Sequence, residues 1–301
     1  MNLEIVVPCY NEEKNILRFY IEIDNVLKDD IDWKIIFVND GSDDNTLAEI
    51  KKLENAKYIS FSRNFGKEAA IYAGLKKTTA EYVILMDADL QDPPSLIPEM
   101  FTYIDDYDIV ATRRVTRTGE PKIRSFFARR FYSIMNRMSD IELVDGARDF
   151  RLMKRNVVDS VLELSEINRF SKGIFQWVGF DTKWIEYENV ERVEGETSWS
   201  FWQLFKYSIE GIVSFTVAPL YISTIVGIIF SIISFFSILF IVIRTLIFGD
   251  PVSGWPSTIS IILLIGGIQL FSIGVLGQYL AKTYIETKNR PKYIIKEDNF
   301  N

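Results

Sequence analysis

Asp87-Ala88-Asp89 places two carboxylates at i and i+2, directly after the apolar run Tyr82 to Met86. As the chain leaves a strand there, both carboxylates can reach one site. The chain has no histidine, and its single cysteine is Cys9. That composition excludes Ser-His-Asp and Cys-His catalysis, His-ligated zinc, a disulfide within the chain and any thiolate cluster. Chemistry must rest on carboxylates, Lys and Arg, Tyr, hydroxyls, or a metal bound through oxygen. An oxygen-only donor set implies a hard cation, Mg²⁺ or Mn²⁺, held by one or two carboxylates and completed by substrate phosphate oxygens. A lone Asp-X-Asp also occurs in solvated loops. Here Gln91-Asp92-Pro93-Pro94 follows at once and stiffens the turn.

Two further polar runs follow apolar ones. Pro8-Cys9-Tyr10-Asn11-Glu12-Glu13 comes after Leu3 to Val7, and Asn39-Asp40-Gly41-Ser42-Asp43-Asp44-Asn45-Thr46 comes after Trp33 to Val38. Tyr10 can stack on a base, and Glu12 can accept a hydrogen bond from it. Cys9 reads as packing. Gly41 permits a tight turn, and Ser42 or Asp43 can cap the helix that follows. Capping accounts for one or two of these residues, not for Asp40 at the strand end.

The elements that must position these runs alternate. Strands are expected at Leu3–Val7, Trp33–Val38, Tyr58–Phe61, Tyr82–Met86 and Asp108–Ala111. Helices are expected over Glu12–Leu27, Asp43–Leu53, Phe65–Lys76 and Ser95–Tyr103. This alternation predicts an α/β domain with a parallel, doubly wound sheet, whose ligands lie beyond the carboxyl ends of its strands.

The rest of the chain reads differently. Gly211 to Ile243 carries no charge over 33 residues and Pro251 to Ala281 none over 31. Each exceeds the roughly 20 residues that a bilayer crossing needs. The alternative, a pair of buried helices in a large domain, rarely stays uncharged for so long. Ile123, Phe126, Phe127, Phe131, Ile134, Met135 and Met138 recur at helical spacing among Lys122, Arg124, Arg129, Arg130 and Arg137. That pattern suits an interfacial helix in the headgroup layer of an anionic leaflet, or an ordinary helix packed on the sheet. Trp199 and Trp202 precede the first span, where aromatic residues favour the boundary.

No basic start with an apolar stretch opens the chain, so the catalytic part is expected in the cytosol. The loop between spans carries Arg244 and Asp250, whereas the tail carries Lys282, Lys288, Arg290, Lys292 and Lys296. This asymmetry predicts a protein of the cell membrane with two spans and both termini cytoplasmic. The expected organisation is a catalytic domain over 1–195 with its interfacial helix near 122–138, and a juxtamembrane helix over 196–214. Spans over 215–244 and 256–281 and a cytoplasmic tail over 282–301 complete it. A net charge of −7 and a pI of about 5.0, without a basic tract, argue against nucleic-acid binding.

Taken together, the three strand-end motifs are more specific than any one. In this order and spacing, the chain resembles the inverting family-2 glycosyltransferases of the GT-A (Rossmann-like) fold. Within them it is similar to the polyprenyl-phosphate group, which includes dolichyl-phosphate mannose synthases and bactoprenol glucosyltransferases. The resemblance continues through Ser62–Glu68, Arg148–Met153, Asn168–Gly173 and Glu194–Ser198 into the two spans. It implies that Pro8, Tyr10, Asn11, Glu12, Asp40 and Lys67 hold a nucleotide-diphosphate sugar with Asp87 and Asp89. Asp87 and Asp89 would organise Mg²⁺ or Mn²⁺, with Asp89 the more direct ligand. Asp149 would be the catalytic carboxylate. Arg63, Arg169, Lys172, Arg129 and Arg130 would bind the diphosphate or the acceptor phosphate, unless their charges serve ordinary salt bridges.

The implied reaction moves one sugar to a polyprenyl (undecaprenyl) phosphate, with UDP-glucose as the expected donor and UDP-N-acetylglucosamine or GDP-mannose as alternatives. The resemblance also implies a homo-oligomer, a tetramer. Only Gln176-Trp177 answers the Gln-X-X-Arg-Trp motif of processive members, which argues for a single transfer. A membrane adaptor that kept the fold without catalysis is the reading of another class, and the intact Asp40, Asp87, Asp89 and Asp149 argue against it. A transporter subunit would need an ionisable residue within the spans, and there is none.

Overall fold

The computed structural model describes residues 2–27, 31–115, 144–188, 216–248 and 254–300. They divide into two compact units, Met1–Ser208 with Arg290–Asn301, and Ile209–Asn289. The first unit is built on β1 (Asn2–Cys9), β2 (Asp32–Asn39), β3 (Ala56–Phe61), β4 (Tyr82–Leu85), β5 (Ile109–Arg114), β6 (Ala147–Lys154), β7 (Thr182–Tyr187) and β8 (Ile295–Asp298). Its helices are α1 (Ile16–Leu27), α2 (Thr46–Ile50), α3 (Lys67–Lys77), α4 (Ile97–Tyr103), α5 (Arg155–Glu163) and α6 (Ser171–Trp177).

The sheet runs β7-β5-β6-β4-β1-β2-β3-β8. β1 is central and buried from Leu3 to Cys9 on both faces, which is why it is apolar but for Glu4, whose carboxylate accepts from Thr79 N and Ala80 N. β4, β1, β2 and β3 are mutually parallel, so the loops after β1, β2 and β4 leave at one edge. α3 covers this part of the sheet with Ala69, Ala70, Ala73 and Gly74. A Cβ at Gly74 would stand 2.3 Å from Val6 Cγ1, so glycine sets how closely α3 lies on β1.

The parallel expectation holds for the five strands read from the sequence, β1 to β5, and the strands not read there make the sheet mixed. β6 is antiparallel to both β4 and β5, and β8 is antiparallel to β3. The reversal matters for the site. Leu85 pairs with Arg151, so continuing the register two residues brings Asp149 level with Asp87. A parallel β6 would have carried its first residues to the opposite edge.

The cytoplasmic tail expected over 282–301 contains the last strand of the first unit. From Arg290 the chain belongs to the first unit, and Ile295–Asp298 forms the sheet's outer strand. Tyr293 stacks on Phe61 at 4.9 Å, and Asn299 Oδ1 accepts from Tyr58 N at 2.7 Å. The helix expected from Glu12 begins at Ile16, and that expected over Asp43–Leu53 shortens to Thr46–Ile50. The Asp44 carboxylate accepts from both Thr46 N and Thr46 Oγ1 in a turn that delays the start of α2.

The second unit contains α7 (Ala218–Phe248) and α8 (Trp255–Thr287). Both are long and apolar enough to cross a membrane, and they start and end a few residues from the spans expected at 215–244 and 256–281. Their apolar side chains face outward, as in Phe236 (62% exposed) and Leu270 (72% exposed). The hydroxyls of Thr224 and Ser231 donate to carbonyls four residues back, which leaves them satisfied without water. The expected interfacial helix near 122–138, with Arg129 and Arg130, and the juxtamembrane helix over 196–214 lie outside the described residues.

Candidate active site

The loops after β1 and β2 are tied to each other. Asn11, at φ 56°, donates its N–H to Ser42 Oγ (3.0 Å) and accepts from Asp43 N through Oδ1 (2.9 Å). Glu12 N donates to Thr46 Oγ1 at 2.8 Å. Gly41, at φ 66°, lets the second loop pass the chain at Arg63, since a Cβ there would lie 2.3 Å from the Arg63 carbonyl carbon. Asp40, nearly buried, accepts from Phe65 N (2.6 Å) and Gly66 N (2.8 Å). Burial raises its pKa, while those two N–H groups and Arg63 oppose the rise. Asp40 therefore fixes the turn from which α3 starts, and α3 starts with Lys67.

These loops enclose a cleft of about 400 Å³. Of the residues expected at the site, Pro8, Tyr10, Glu12, Asp40, Lys67, Asp87 and Asp89 line it. Asn64 and Gly66 also line it, and sequence reasoning did not single them out. Cys9 lies in the wall with its thiol donating to Val38 O at 3.4 Å. Burial, with nearby carboxylates, pushes that thiol far up, as expected for a packing residue.

Lys67 is the hub. Its Nζ lies 2.6 Å from Asp87 Oδ1 and 2.5 Å from Asp149 Oδ2, joining the β4 loop to β6. Burial works against the Asp149 anion. Lys67, then Lys172 and Arg151, outweigh it and hold this carboxyl well below the usual range. Burial likewise works against the Lys67 cation, yet Asp149 and Asp87 hold it above its ordinary value. Asp87 is raised by burial and by Asp149, against the pull of Lys67. Asp149 is thus a firmly ionised carboxylate among cations.

Among the described residues Arg151 is the largest fully buried side chain, and it was not anticipated. It donates to the carbonyls of Asp149 (3.2 Å) and Arg148 (2.8 Å), and stacks on Phe175 of α6 at 3.8 Å. Burial lowers its pKa to about 10 despite Asp149 and Glu68. A second tie fixes the Asp-X-Asp loop. Asp92, 1% exposed, accepts from Arg148 Nε (2.8 Å) and from the Tyr187 hydroxyl. Gln91 N in turn donates to Asp89 Oδ1 at 3.1 Å. Leu90 between them sits at φ 54°, a left-handed conformation that costs a leucine roughly 1–3 kcal/mol.

Other expected residues do not face the cleft. Asn11 spends its side chain on Asp43 N. Arg63 is exposed, 4.0 Å from the Phe65 ring, and donates to Asn64 O. Arg169 is buried, donates to the carbonyls of Leu164 and Val161, and stacks on Tyr72 at 4.8 Å. Its guanidinium closes the end of α5. Lys172, in the first turn of α6, favours the ionised form of Asp149 through its charge, while burial lowers its own pKa.

The model of "Glycosyl transferase family 2" matches residues 4–162. A prophage bactoprenol glucosyl transferase homolog of Escherichia coli K12 is 41% identical, covering 98% of this chain and 99% of the relative. An SfII prophage-derived bactoprenol glucosyl transferase of Shigella flexneri is also 41% identical, covering 99% of each. Among solved structures, mannosyl-3-phosphoglycerate synthase from Rubrobacter xylanophilus covers 70% of this chain and 72% of its own, at 16% identity and a TM-score of 0.49. The family model takes in the strand-end loops and Asp149, and the relatives run through the two apolar helices as well. The chain belongs to glycosyl transferase family 2 and carries its GT-A fold.

Proposed function

We propose that this glycosyltransferase moves one sugar, glucose from UDP-glucose, to a polyprenyl phosphate such as undecaprenyl phosphate, at the cytoplasmic face of the membrane. The observation that carries the reading is the meeting, at one edge of the sheet, of the Asp87–Asp89 loop with Asp149, bridged by Lys67. The near full-length relatives named for bactoprenol glucosyl transfer support the acceptor and the sugar.

The cleft suits a nucleotide-diphosphate sugar. Tyr10, 42% exposed, offers a ring for the base, and Glu12 an acceptor. Asp87 and Asp89 fit Mg²⁺ or Mn²⁺. The donors are oxygens only, and among the described residues no three such ligands converge. Phosphate oxygens would therefore complete the set, as is usual for Mg²⁺. Such an ion neutralises the charge of a departing diphosphate.

In the reaction, an oxygen of the acceptor phosphate forms the bond to the anomeric carbon as the bond to the diphosphate oxygen breaks. Attack from the opposite face inverts that carbon, and the nucleoside diphosphate leaves with the electron pair. A phosphate monoester loses its second proton near pH 6, so the nucleophile needs no base at neutral pH. Asp149, ionised far below its usual range, is a poor base in any case. Its negative charge suits an oxocarbenium-like transition state and the orientation of Lys67.

A panel of nucleotide sugars with purified protein, undecaprenyl phosphate and Mg²⁺ or Mn²⁺, read by the mass of the lipid product, tests the reading. A single added hexose from UDP-glucose, lost on adding a chelator, is expected. Transfer from a guanine nucleotide alone overturns the donor, and no lipid product from any donor overturns the function.

A further inference from the structure

Glu68 follows Lys67 in the first turn of α3, and Ser171 precedes Lys172 in the first turn of α6. The two inner residues bind each other. Both Glu68 carboxylate oxygens accept from Ser171 N at 3.0 Å, and Oε2 also takes the Ser171 hydroxyl. The two outer residues act on one carboxylate, Lys67 at 2.5 Å and Lys172 through its charge. Segments 103 residues apart are thus joined by one rung that is structural and one that faces the reacting centre.

We propose that Glu68 is a positioning residue, which docks α6 on α3 so that Lys172 stands beside Asp149 and meets the acceptor phosphate. The proposal rests on the reading above for the identity of that anion. A plain helix cap would not need this arrangement. The residue before α6 is Phe170, which makes no side-chain cap bond, so the acceptor comes from another helix. A local Ser or Asp would cap more cheaply than a carboxylate carried into the interior. Burial duly raises the Glu68 pKa, while Ser171 opposes the rise by bonding the ionised form. What a distant carboxylate adds is the register between the two lysines. One turn along the same helix, Phe175 packs against Arg151, whose side chain bonds the backbone at Asp149. α6, α3 and β6 therefore share one geometry around Asp149, and Glu68 closes it.

The test is a double-mutant cycle on the full chain in detergent or nanodiscs, with UDP-glucose and undecaprenyl phosphate. Glu68→Ala and Lys172→Ala should each lower kcat/KM for the lipid phosphate on the order of 10–100-fold, the scale of a misplaced group, with the KM for the donor unchanged. The double variant should fall no further than Lys172→Ala, because both remove one function. Glu68→Gln, which can still accept from Ser171 N, should keep activity within about threefold of the parent. If Glu68→Ala does not fold, Ser171→Ala replaces it in the cycle, with a smaller loss and the same lack of additivity. Losses that multiply, or a donor KM that rises in step with the acceptor KM, overturn the proposal. A parent protein that glycosylates no polyprenyl phosphate overturns the function instead, whatever the cycle shows.

Discussion

At the scale of residues, the proposed chemistry turns on Asp149 and Lys67. The depressed pKa of Asp149 means that its ionic contribution to stability is present above the ordinary carboxylate range. It is lost only as the pH falls through the still lower folded value. Asp149 therefore keeps its charge across any pH at which the enzyme works. Asp149→Asn should lower kcat on the order of 100-fold, as expected for a lost transition-state charge. The loss should be uniform from pH 5.5 to 9, and the acidic limb near 6 should persist in the variant because it belongs to the acceptor phosphate. A limb that vanishes with Asp149 would restore a base to the mechanism. Gly41 allows a second test at this scale. Gly41→Ala would drive a methyl into the backbone of Arg63 at a positive φ. It should lower stability by about 2 kcal/mol or more and weaken donor binding, because Asp40 and the Phe65–Gly66 turn would move with it. Thermal melting and nucleotide titration read the two effects separately.

At the scale of elements, the site depends on ties between segments whose partners are far apart in the chain. Asp92 holds the β4 loop to Arg148 at the head of β6 and to Tyr187 at the end of β7. Burial works against the Arg148 charge, and Asp92 more than restores it. Asp92→Ala leaves a guanidinium without its anion and should cost about 3–5 kcal/mol. Tyr187→Phe removes one hydrogen bond to a charged group and should cost about 1.5–3 kcal/mol. Denaturant melts would show that order, and a milder Asp92→Ala would contradict it.

These ties also explain what was legible beforehand. The loops after β1, β2 and β4 announce themselves through strand-end position and residue type, so Asp40, Asp87 and Asp89 could be picked out as candidates, and the three line one cleft. Asp149 came from resemblance, since Ala147–Lys154 carries four charges among its eight residues and does not look like a buried strand. Its direction could not be read, because nothing local distinguishes an antiparallel return from a parallel crossover. Glu68, Arg151 and Tyr187 escaped for a related reason. Each acts through a partner at long sequence separation, and a lone buried charge leaves no periodic signal.

At the scale of the whole molecule, β8 fixes a parity. The chain leaves the catalytic unit, forms two helices long enough to cross a bilayer, and returns to pair Ile295–Asp298 with β3. Strands of one sheet cannot lie on opposite sides of a membrane, so the crossings between them must be even in number. On the proposed reading, the basic residues at positions 282–296 would put both ends on the cytoplasmic side. The strand is held by Phe61 against Tyr293, by Asn299 on the Tyr58 backbone and by Lys51 with Glu297 at 2.6 Å. Removing residues 290–301 would uncover Phe61 and Ile59, and should cost about 3 kcal/mol or more from lost apolar burial. The parity has a direct test, because the one native thiol, Cys9, is buried and slow to react. Lys14→Cys, Ser253→Cys and Lys296→Cys are introduced singly and treated in intact cells with a membrane-impermeant maleimide. Ser253→Cys should label from outside, and the other two only after the membrane is opened. If Lys296→Cys labels together with Ser253→Cys while Lys14→Cys stays protected, the tail lies across the membrane from the sheet. The β3–β8 pairing would then not exist in the cell.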